Sequence, residues 1–270
     1  MIEDTPTGIF YKKWIADSPK AIFLLVHGLG AHSGRWEYLA DFFVARGISS
    51  YAIELRGFGE TTGLRGHIDS FSTYIEDITR LSEIISVDNK DKKIFLIGES
   101  TGALLSFLTA SSTGHLFDGM ACLSPAFSGR LKVTFLDYVK ILLPFLYNPK
   151  KQHKIAFNSG MCTRDVDYRI RMEEDDREHR LATSRFIWEL LKAQIYSSRA
   201  GMKIKIPVLF LLAGDDFVVS SLKSKEIFND ISVEDKKLIE YPGMYHALSI
   251  EIGREDVFFD IYKWVINRMS

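Results

Sequence analysis

The sequence has little cysteine and almost no net charge. Its two cysteines, Cys122 and Cys162, are too few and too far apart for a disulfide framework or a metal site. We therefore expect two buried free thiols and no bound metal. The formal net charge of -1 provides no bulk attraction to nucleic acid, so we expect no nucleic-acid partner.

Long apolar runs and targeting signals are missing as well. No uninterrupted apolar stretch reaches the roughly 20 residues that span a bilayer. Residues 1–6 have neither a basic start nor an apolar run, which argues against a signal peptide. A cytoplasmic location is the expectation that follows.

What the chain does have is the composition of a globular protein with a sizeable core. Of its 270 residues, 46% are hydrophobic and 26% are charged. This length fits one large α/β domain with an insertion as well as it fits two small domains.

The first part of the chain alternates between strand-like and helix-like segments. The predicted strands are 21–26, 48–55, 93–97 and 120–124, and the predicted helices are 36–46 and 71–86. This rhythm predicts an α/β fold with a mostly parallel sheet flanked by helices. In such sheets the site lies outside the carboxyl ends of the strands, where His27, Ser100 and Ser124 fall.

The rhythm breaks after Pro125 and returns at a strand-like run that begins near residue 206. The intervening segment, 127–205, shows no clear strand, and we expect it to be an all-helical lid. Residues 1–126 and 206–270 are then expected to form the core. Within the lid, the densely charged run 164–180 is expected to be a solvated helix face.

The pentapeptide 98–102 reads Gly-Glu-Ser-Thr-Gly and lies between a predicted strand and a predicted helix. A serine on a tight strand-to-helix turn has its hydroxyl pushed out at the carboxyl edge of a sheet. Flanking glycines suit such a turn because neighbouring chains pass close to it. The pattern alone recurs by chance, but its setting makes Ser100 a candidate nucleophile.

A serine hydroxyl needs a base within hydrogen-bond reach, and the base needs a third group to orient it. An acid and then a histidine follow Ser100 in the chain, in the order that a nucleophile on such a turn uses. His246 is the candidate base, in a loop before the final helix. Two adjacent aspartates, Asp215 and Asp216, are candidate acids, and we expect one to orient the histidine and the other to cap a turn.

A tetrahedral intermediate needs two backbone N–H donors, each worth about 3 kcal/mol in the transition state. One is expected from Thr101, the residue after the nucleophile. The other is expected from Leu29, in the glycine-containing loop after the first long strand. If this loop were only a turn, Leu29 would have no such role.

Seven short motifs follow the order of one known family. They are His27-Gly28, Glu54-Leu55-Arg56-Gly57-Phe58-Gly59, Arg65-Gly66-His67, the pentapeptide 98–102, Cys162-Thr163-Arg164-Asp165, Gly214-x-Asp216 and Tyr245-His246. On these motifs the chain resembles the monoacylglycerol lipase and lysophospholipase group of α/β-hydrolases over nearly its whole length. In that group the acid usually lies two residues after the glycine, which favours Asp216 over Asp215.

The resemblance implies an α/β-hydrolase fold and hydrolysis of a carboxylic ester, with no metal or cofactor. Ser100 would be acylated and then deacylated by water. His246 would act as base and then as acid, while Asp216 holds its tautomer. The implied substrates are monoacylglycerols or lysophospholipids.

The chain departs from the family at several places in and near the pentapeptide 98–102, which we call the elbow. In the usual motif G-H-S-M-G-G, this chain has Glu99 in place of the histidine, Thr101 in place of the methionine and Ala103 in place of the last glycine. Glu54 replaces the usual aspartate of the earlier motif. None of these changes removes a catalytic group. We expect Glu99 to alter the pH profile or the shape of the acyl pocket.

The apolar stretch of the lid has two interpretations, a plain core or a slot for an acyl chain that touches lipid aggregates transiently. Its apolar residues are Phe127, Val133, Phe135, Leu136, Val139, Ile141, Leu142, Leu143, Phe145 and Leu146. The lysines that flank it, suited to an anionic interface or simply solvated, are Lys132, Lys140, Lys150, Lys151 and Lys154.

Other functions fit the same residues. A small-ester or aryl-ester esterase, a thioesterase or an acyltransferase would use the same triad, and a non-catalytic binding protein would keep the fold. Dehalogenase and epoxide hydrolase activities are not expected, because those relatives place an aspartate where Ser100 stands. The sequence does not indicate an oligomeric state.

Overall fold

The computed structural model describes residues 2–4, 8–130, 140 and 143–269. Its strands are β1 (Ile2–Asp4), β2 (Phe10–Trp14), β3 (Ala21–Val26), β4 (Ile48–Glu54), β5 (Lys93–Glu99), β6 (Gly119–Leu123), β7 (Gln152–Lys154), β8 (Leu181–Thr183), β9 (Val208–Ala213) and β10 (Lys236–Tyr241). Its α-helices are α1 (Glu37–Val44), α2 (Phe71–Asp88), α3 (Thr101–Thr113), α4 (Ser159–Cys162), α5 (Val166–Glu174), α6 (Ser184–Ala200), α7 (Ser221–Asp230) and α8 (Arg254–Ile266).

Within the described residues, eight strands form one sheet in the order β1-β2-β4-β3-β5-β6-β9-β10. The pairs β1–β2 and β2–β4 are antiparallel, and the remaining pairs are parallel. The mostly parallel sheet predicted from the βαβ rhythm is therefore confirmed. The carboxyl ends of β3, β5 and β9 lie at one edge of the sheet, and the candidate site lies there.

The central strands are apolar throughout because both faces of the sheet are covered. Along β3, Ile22, Leu24 and Val26 pack into one hydrophobic cluster, which includes residues of α2 and α3. Ala21, Phe23 and Leu25 pack into the other cluster, which includes residues of α1 and α8. Successive side chains of a strand point to opposite faces, so a strand between two cores reads as a continuous apolar run.

The segment 127–205 leaves and rejoins the sheet between two neighbouring strands, since β6 and β9 pair directly. The expectation that it is all helical is wrong. β7 and β8 form an antiparallel pair, with Gln152 opposite Thr183 and Lys154 opposite Leu181. Strands of three residues are too short to show a period of two in the sequence, and only their pairing across about 30 residues defines them.

The charged run 164–180 is more than a solvated face. Glu178 accepts two hydrogen bonds from Arg35 of the core, from Nε at 2.6 Å and from Nη2 at 2.7 Å. The side chains of Glu178 and Arg35 are only 4% and 11% exposed. This part of the run therefore docks the inserted segment onto the core.

Much of the predicted apolar stretch of the lid lies outside the described residues, namely Val133, Phe135, Leu136, Val139, Ile141 and Leu142, as does Lys132. Of the others, Phe127 is buried in the core and stacks on Phe210. Leu143 and Leu146 are exposed, and Phe145 stacks on Trp188. Phe127 thus follows the core interpretation, whereas Leu143 and Leu146 do not.

Both cysteines are buried and free, as expected. No helix in the described ranges is long and apolar enough to cross a bilayer. Within the same residues, no group of three or more histidine, cysteine, aspartate or glutamate side chains has the arrangement of a metal site.

Candidate active site

Ser100 occupies a strained turn between β5 and α3. Its φ of 58° and ψ of -121° are rare for a residue with a side chain. Three backbone hydrogen bonds hold this conformation: its N–H donates to Leu123, and its carbonyl accepts from Leu104 and Ala126. The turn places Oγ at the carboxyl edge of the sheet, facing the loops that follow β9 and β10.

The glycines at either end of the elbow are required by close contacts. A Cβ at Gly102 would lie 2.1 Å from the backbone oxygen of Val26, and one at Gly98 would lie 2.5 Å from the oxygen of Gly102. Both distances are far shorter than van der Waals contact. The backbone of β3 and the elbow therefore pack together only with glycine at these positions.

Ser100, His246 and Asp216 form a continuous chain of hydrogen bonds. His246 Nε2 lies 2.8 Å from Ser100 Oγ, and His246 Nδ1 lies 2.8 Å from Asp216 Oδ2. With the proton on Nδ1, the imidazole donates to the carboxylate and its Nε2 accepts from the hydroxyl. This geometry leaves Nε2 free to take the proton of Ser100.

The two adjacent aspartates, Asp215 and Asp216, differ in burial and in hydrogen-bond partners. Asp216 is 1% exposed, and its Oδ1 accepts from the N–H groups of Val218 and Val219 while Oδ2 faces His246. Asp215 is exposed, and its backbone N–H donates to Met244. The expected division of tasks between the two is therefore not found, because Asp216 both contacts the histidine and caps the turn.

The electrostatics of His246 favour its protonated form. Burial lowers the pKa of this imidazole, but the charge and hydrogen bond of Asp216, aided by the charge of Glu99, more than offset it. The pKa is raised above 6.5 as a result. Arg35 acts in the opposite direction. A raised pKa makes His246 a stronger base when it is neutral.

Leu29 and Thr101, the predicted oxyanion donors, line the same cavity as Ser100. Thr101 is the first residue of α3, where a backbone N–H has no acceptor within its own helix. The loop of Leu29 lies against the elbow, since a Cβ at Gly28 would be 3.1 Å from Ser100 Cβ. His27 supports this loop by accepting from the N–H of Leu55 at 3.1 Å. The donor roles themselves stay a prediction.

Two buried glutamates support the loops of the site, and the sequence marked them only as departures from a pattern. Glu99 accepts from Ser249 N and Ser249 Oγ, both at 2.9 Å. Glu54 accepts from Ser33 N at 2.9 Å and from Ser33 Oγ at 2.8 Å. Each carboxylate belongs to the last residue of a buried strand. Because a buried carboxylate needs hydrogen-bond donors, an acid at this position predicts a contact with a neighbouring loop, although it does not identify the loop.

A cavity of about 210 Å³ opens beside Ser100. Most of the described residues that line it are apolar, among them Leu29, Ile155, Phe157, Ile187, Leu190 and Val218. Glu99 is not among them, because its side chain is turned toward the loop of His246. The expected effect of Glu99 on the pocket shape thus finds no support in the described lining.

Comparison with known proteins gives consistent results. The family model Hydrolase_4, described as serine aminopeptidase S33, matches residues 17–253. The phospholipase YtpA of Bacillus subtilis is 30% identical over 249 residues, covering 91% of this chain and 95% of that protein. The monoglyceride lipase of Homo sapiens is 27% identical over 277 residues, covering 97% of this chain and 88% of that protein.

The fold has a close counterpart among solved structures. The monoacylglycerol lipase of Paleococcus ferrophilus superposes with a TM-score of 0.88 at 24% identity, over 97% of this chain and 99% of that chain. This likeness supports the architecture, and the sequence matches support the family. The chain belongs to the Hydrolase_4 family and is an α/β-hydrolase of the monoacylglycerol lipase and lysophospholipase group.

Proposed function

We propose that this protein is a serine hydrolase that cleaves carboxylic esters of lipids, monoacylglycerols or lysophospholipids, through an acyl-enzyme on Ser100. The observation that carries the proposal is the hydrogen-bonded chain Asp216–His246–Ser100 beside an apolar cavity. Relatives named phospholipase and monoglyceride lipase support the lipid substrate.

Acylation begins when Ser100 Oγ attacks the ester carbonyl. The hydroxyl proton moves to His246 Nε2, which lies 2.8 Å away, and Asp216 stabilises the imidazolium that forms. The carbonyl oxygen becomes an oxyanion, and the N–H groups of Leu29 and Thr101 stabilise it. Collapse of this intermediate breaks the bond to the leaving alcohol, which takes the proton from Nε2.

Deacylation repeats these steps with water. His246 removes a proton from the water as the oxygen attacks the acyl carbonyl, and it returns the proton to Ser100 Oγ as the fatty acid leaves. Each atom in this cycle comes from the protein, the ester or water. No metal or cofactor is needed for it.

The cavity favours an acyl chain over a peptide. An aminopeptidase has to bind a positively charged α-amino group beside the scissile bond, and a carboxylate is the natural partner of such a group. None of the described residues that line the cavity is an aspartate or glutamate. An apolar lining instead stabilises methylene groups, by about 0.8 kcal/mol for each one buried.

The segment 127–205 is proposed as the lid of this site, and residues 1–126 and 206–270 as the core. Its residues Ile155, Phe157 and Leu190 line the cavity. Leu143, Leu146 and Tyr147 are 53%, 77% and 69% exposed. Flanked by Lys140, Lys150 and Lys151, they suit transient contact with an anionic lipid surface. A cytoplasmic location stays a prediction.

A chain-length series of 4-nitrophenyl esters tests the substrate class. We expect kcat/KM to rise from the acetate toward longer acyl chains, because each added methylene enters the apolar cavity. Release of fatty acid from a monoacylglycerol and from a lysophospholipid then identifies the head group. A steep preference for the acetate would overturn the lipase proposal and favour a small-ester esterase.

A further inference from the structure

The loop that carries His246 is held by two buried carboxylates, which bind it at positions before and after the histidine in the chain. Glu99 accepts from the backbone N–H and the hydroxyl of Ser249, three residues after the histidine. Glu251 accepts from the backbone N–H of Tyr245, one residue before it, at 2.9 Å. Glu251 is 0% exposed and Glu99 is 5% exposed.

Glu99 differs from Glu251 in where it is anchored. It is the last residue of β5 and the immediate neighbour of Ser100, and it pairs with Leu123 in the sheet. Its carboxylate therefore joins the rigid end of the strand that presents Ser100 to the loop that presents His246. Ser100 and His246 are 146 residues apart in the chain, so their separation depends on contacts of this kind.

Building on the proposed function, we propose that Glu99 is a positioning residue that holds His246 at hydrogen-bond distance from Ser100 through its two bonds to Ser249. The roles of nucleophile and base require their positions to be held within about 0.5 Å. A displacement of about 1 Å can cost about 100-fold in rate. Glu99 contacts neither reacting atom and acts through the loop.

The two hydrogen bonds between Glu99 and Ser249, which we call the tether, persist in both protonation states of Glu99. Burial raises the pKa of this carboxyl, and the hydrogen bonds from Ser249 only partly oppose the rise. As a carboxylate, Glu99 accepts from both groups of Ser249. As an acid, its O–H donates to Ser249 Oγ while the other oxygen still accepts from the N–H. The positioning of the His246 loop thus depends on the hydrogen-bond geometry of Glu99 and not on its charge.

Suitable variants differ in how many of the two bonds to Ser249 they keep. Glu99→Gln keeps both bonds, because the amide oxygen accepts from Ser249 N and the amide nitrogen donates to Ser249 Oγ. Glu99→Ala removes both, and Ser249→Ala removes only the hydroxyl bond. Glu83→Ala, on the exposed face of α2, is a matched control for loss of a glutamate.

The experiment measures kcat and KM for a 4-nitrophenyl ester, the rate of Ser100 labelling by an alkyl fluorophosphonate, and the thermal midpoint of each variant. For Glu99→Ala we expect kcat and the labelling rate to fall by about 10- to 100-fold, with KM changed less than about twofold. In Ser249→Ala, kcat and the labelling rate should fall less than in Glu99→Ala. In Glu99→Gln and Glu83→Ala, both rates should stay within about threefold of the wild type.

A Glu99→Ala protein with wild-type kcat and labelling rate would overturn the proposal, as would an equal loss of kcat in Glu99→Gln. If Glu99→Ala does not fold, Ser249→Ala decides, and a kcat unchanged from the wild type overturns the tether. Ser100→Ala separates this inference from the proposed function. Turnover that survives in Ser100→Ala defeats the function, whereas turnover lost there but kept in Glu99→Ala defeats only the inference.

Discussion

At the scale of single residues, the site depends on which of two neighbouring aspartates the backbone turns inward. The N–H groups of Val218 and Val219 both point to Oδ1 of Asp216, which fixes the carboxylate with Oδ2 toward His246. Composition and spacing name Asp215 and Asp216 equally well as acids. Only the conformation of the turn after β9 separates them, and the family motif favours the same residue.

Replacing Asp216 by Asn should remove most of the activity. The amide oxygen can still accept from Val218 and Val219, but the amide nitrogen then faces His246 Nδ1. Because that nitrogen is a donor, it favours the tautomer with the proton on Nε2, which cannot accept from Ser100. We expect kcat to fall by about 10⁴-fold, the size of effect seen when the acid of such a triad is amidated. Steady-state kinetics would measure it, with the exposed Asp215→Asn as the control that keeps wild-type kcat.

The pH dependence of kcat/KM should report the pKa of His246. The imidazole must be neutral to accept a proton, so activity is lost as the pH falls through this pKa. Asp216 and Glu99 raise the pKa above 6.5 against the effects of burial and of Arg35. We therefore expect the acidic limb of the profile to have its midpoint above 6.5 with a non-ionising ester substrate. A midpoint well below that value would contradict the assigned electrostatics.

At the scale of secondary-structure elements, strand β5, the elbow and helix α3 act as one unit. The strained φ of Ser100 is held by the packing of β3 against the turn, by a hydrogen bond to Leu123 of β6 and by a hydrogen bond from Ala126. The strain is stored where the hydroxyl has to project, as expected of a functional site. Glycine at position 102 is what allows the backbones to approach.

Gly102→Ala should therefore destabilise the protein. Its Cβ would lie 2.1 Å from the backbone oxygen of Val26, and backbone cannot move aside as a flexible side chain can. We expect the free energy of unfolding to fall by about 3 kcal/mol, measured by urea denaturation. The control is Gly114→Ala at the end of α3, where the new Cβ meets its nearest neighbour, Ile206, at 3.7 Å. Equal stability of Gly102→Ala and the wild type would contradict the close packing of the elbow.

The elements of the core were accessible from the sequence, whereas several contacts of the site were not. Buried strands such as β3 read as unbroken apolar runs because both faces are covered, and the elbow has a short motif in a recognisable setting. β7 and β8 have three residues each and no periodicity. The hydrogen bonds between Glu99 and Ser249 join residues 150 positions apart in the chain, and no local pattern identifies such a pair.

At the scale of the whole molecule, the segment 127–205 is fixed to the core by a buried ion pair as well as by apolar contacts. Arg35, which follows β3, donates twice to Glu178 of the inserted segment. Nearby, the N–H of His179 donates to the carbonyl of Gly30, and the N–H of Thr183 donates to that of Gly66. These bonds hold one side of the proposed lid next to the loop of Leu29.

Removing one partner of that ion pair should be costly. Glu178→Gln leaves the buried guanidinium of Arg35 without the carboxylate that binds it, and such a loss typically costs about 3 kcal/mol or more. Urea denaturation would detect it as a lower free energy of unfolding. Glu226→Gln is the matched control, because Glu226 pairs with Lys223 on the exposed face of α7 and should contribute less than about 1 kcal/mol. Similar losses in the two variants would contradict a buried docking contact.

The central claim is that Ser100 carries the acyl group during turnover, and mass spectrometry of the trapped intermediate tests it most directly. The protein would be mixed with a long-chain 4-nitrophenyl ester, quenched in acid and digested. We predict a mass increase equal to the acyl group on the peptide that contains Ser100, and its absence in Ser100→Ala together with loss of ester turnover. An adduct on another residue, or a Ser100→Ala protein that still hydrolyses the ester at the wild-type rate, would contradict the account.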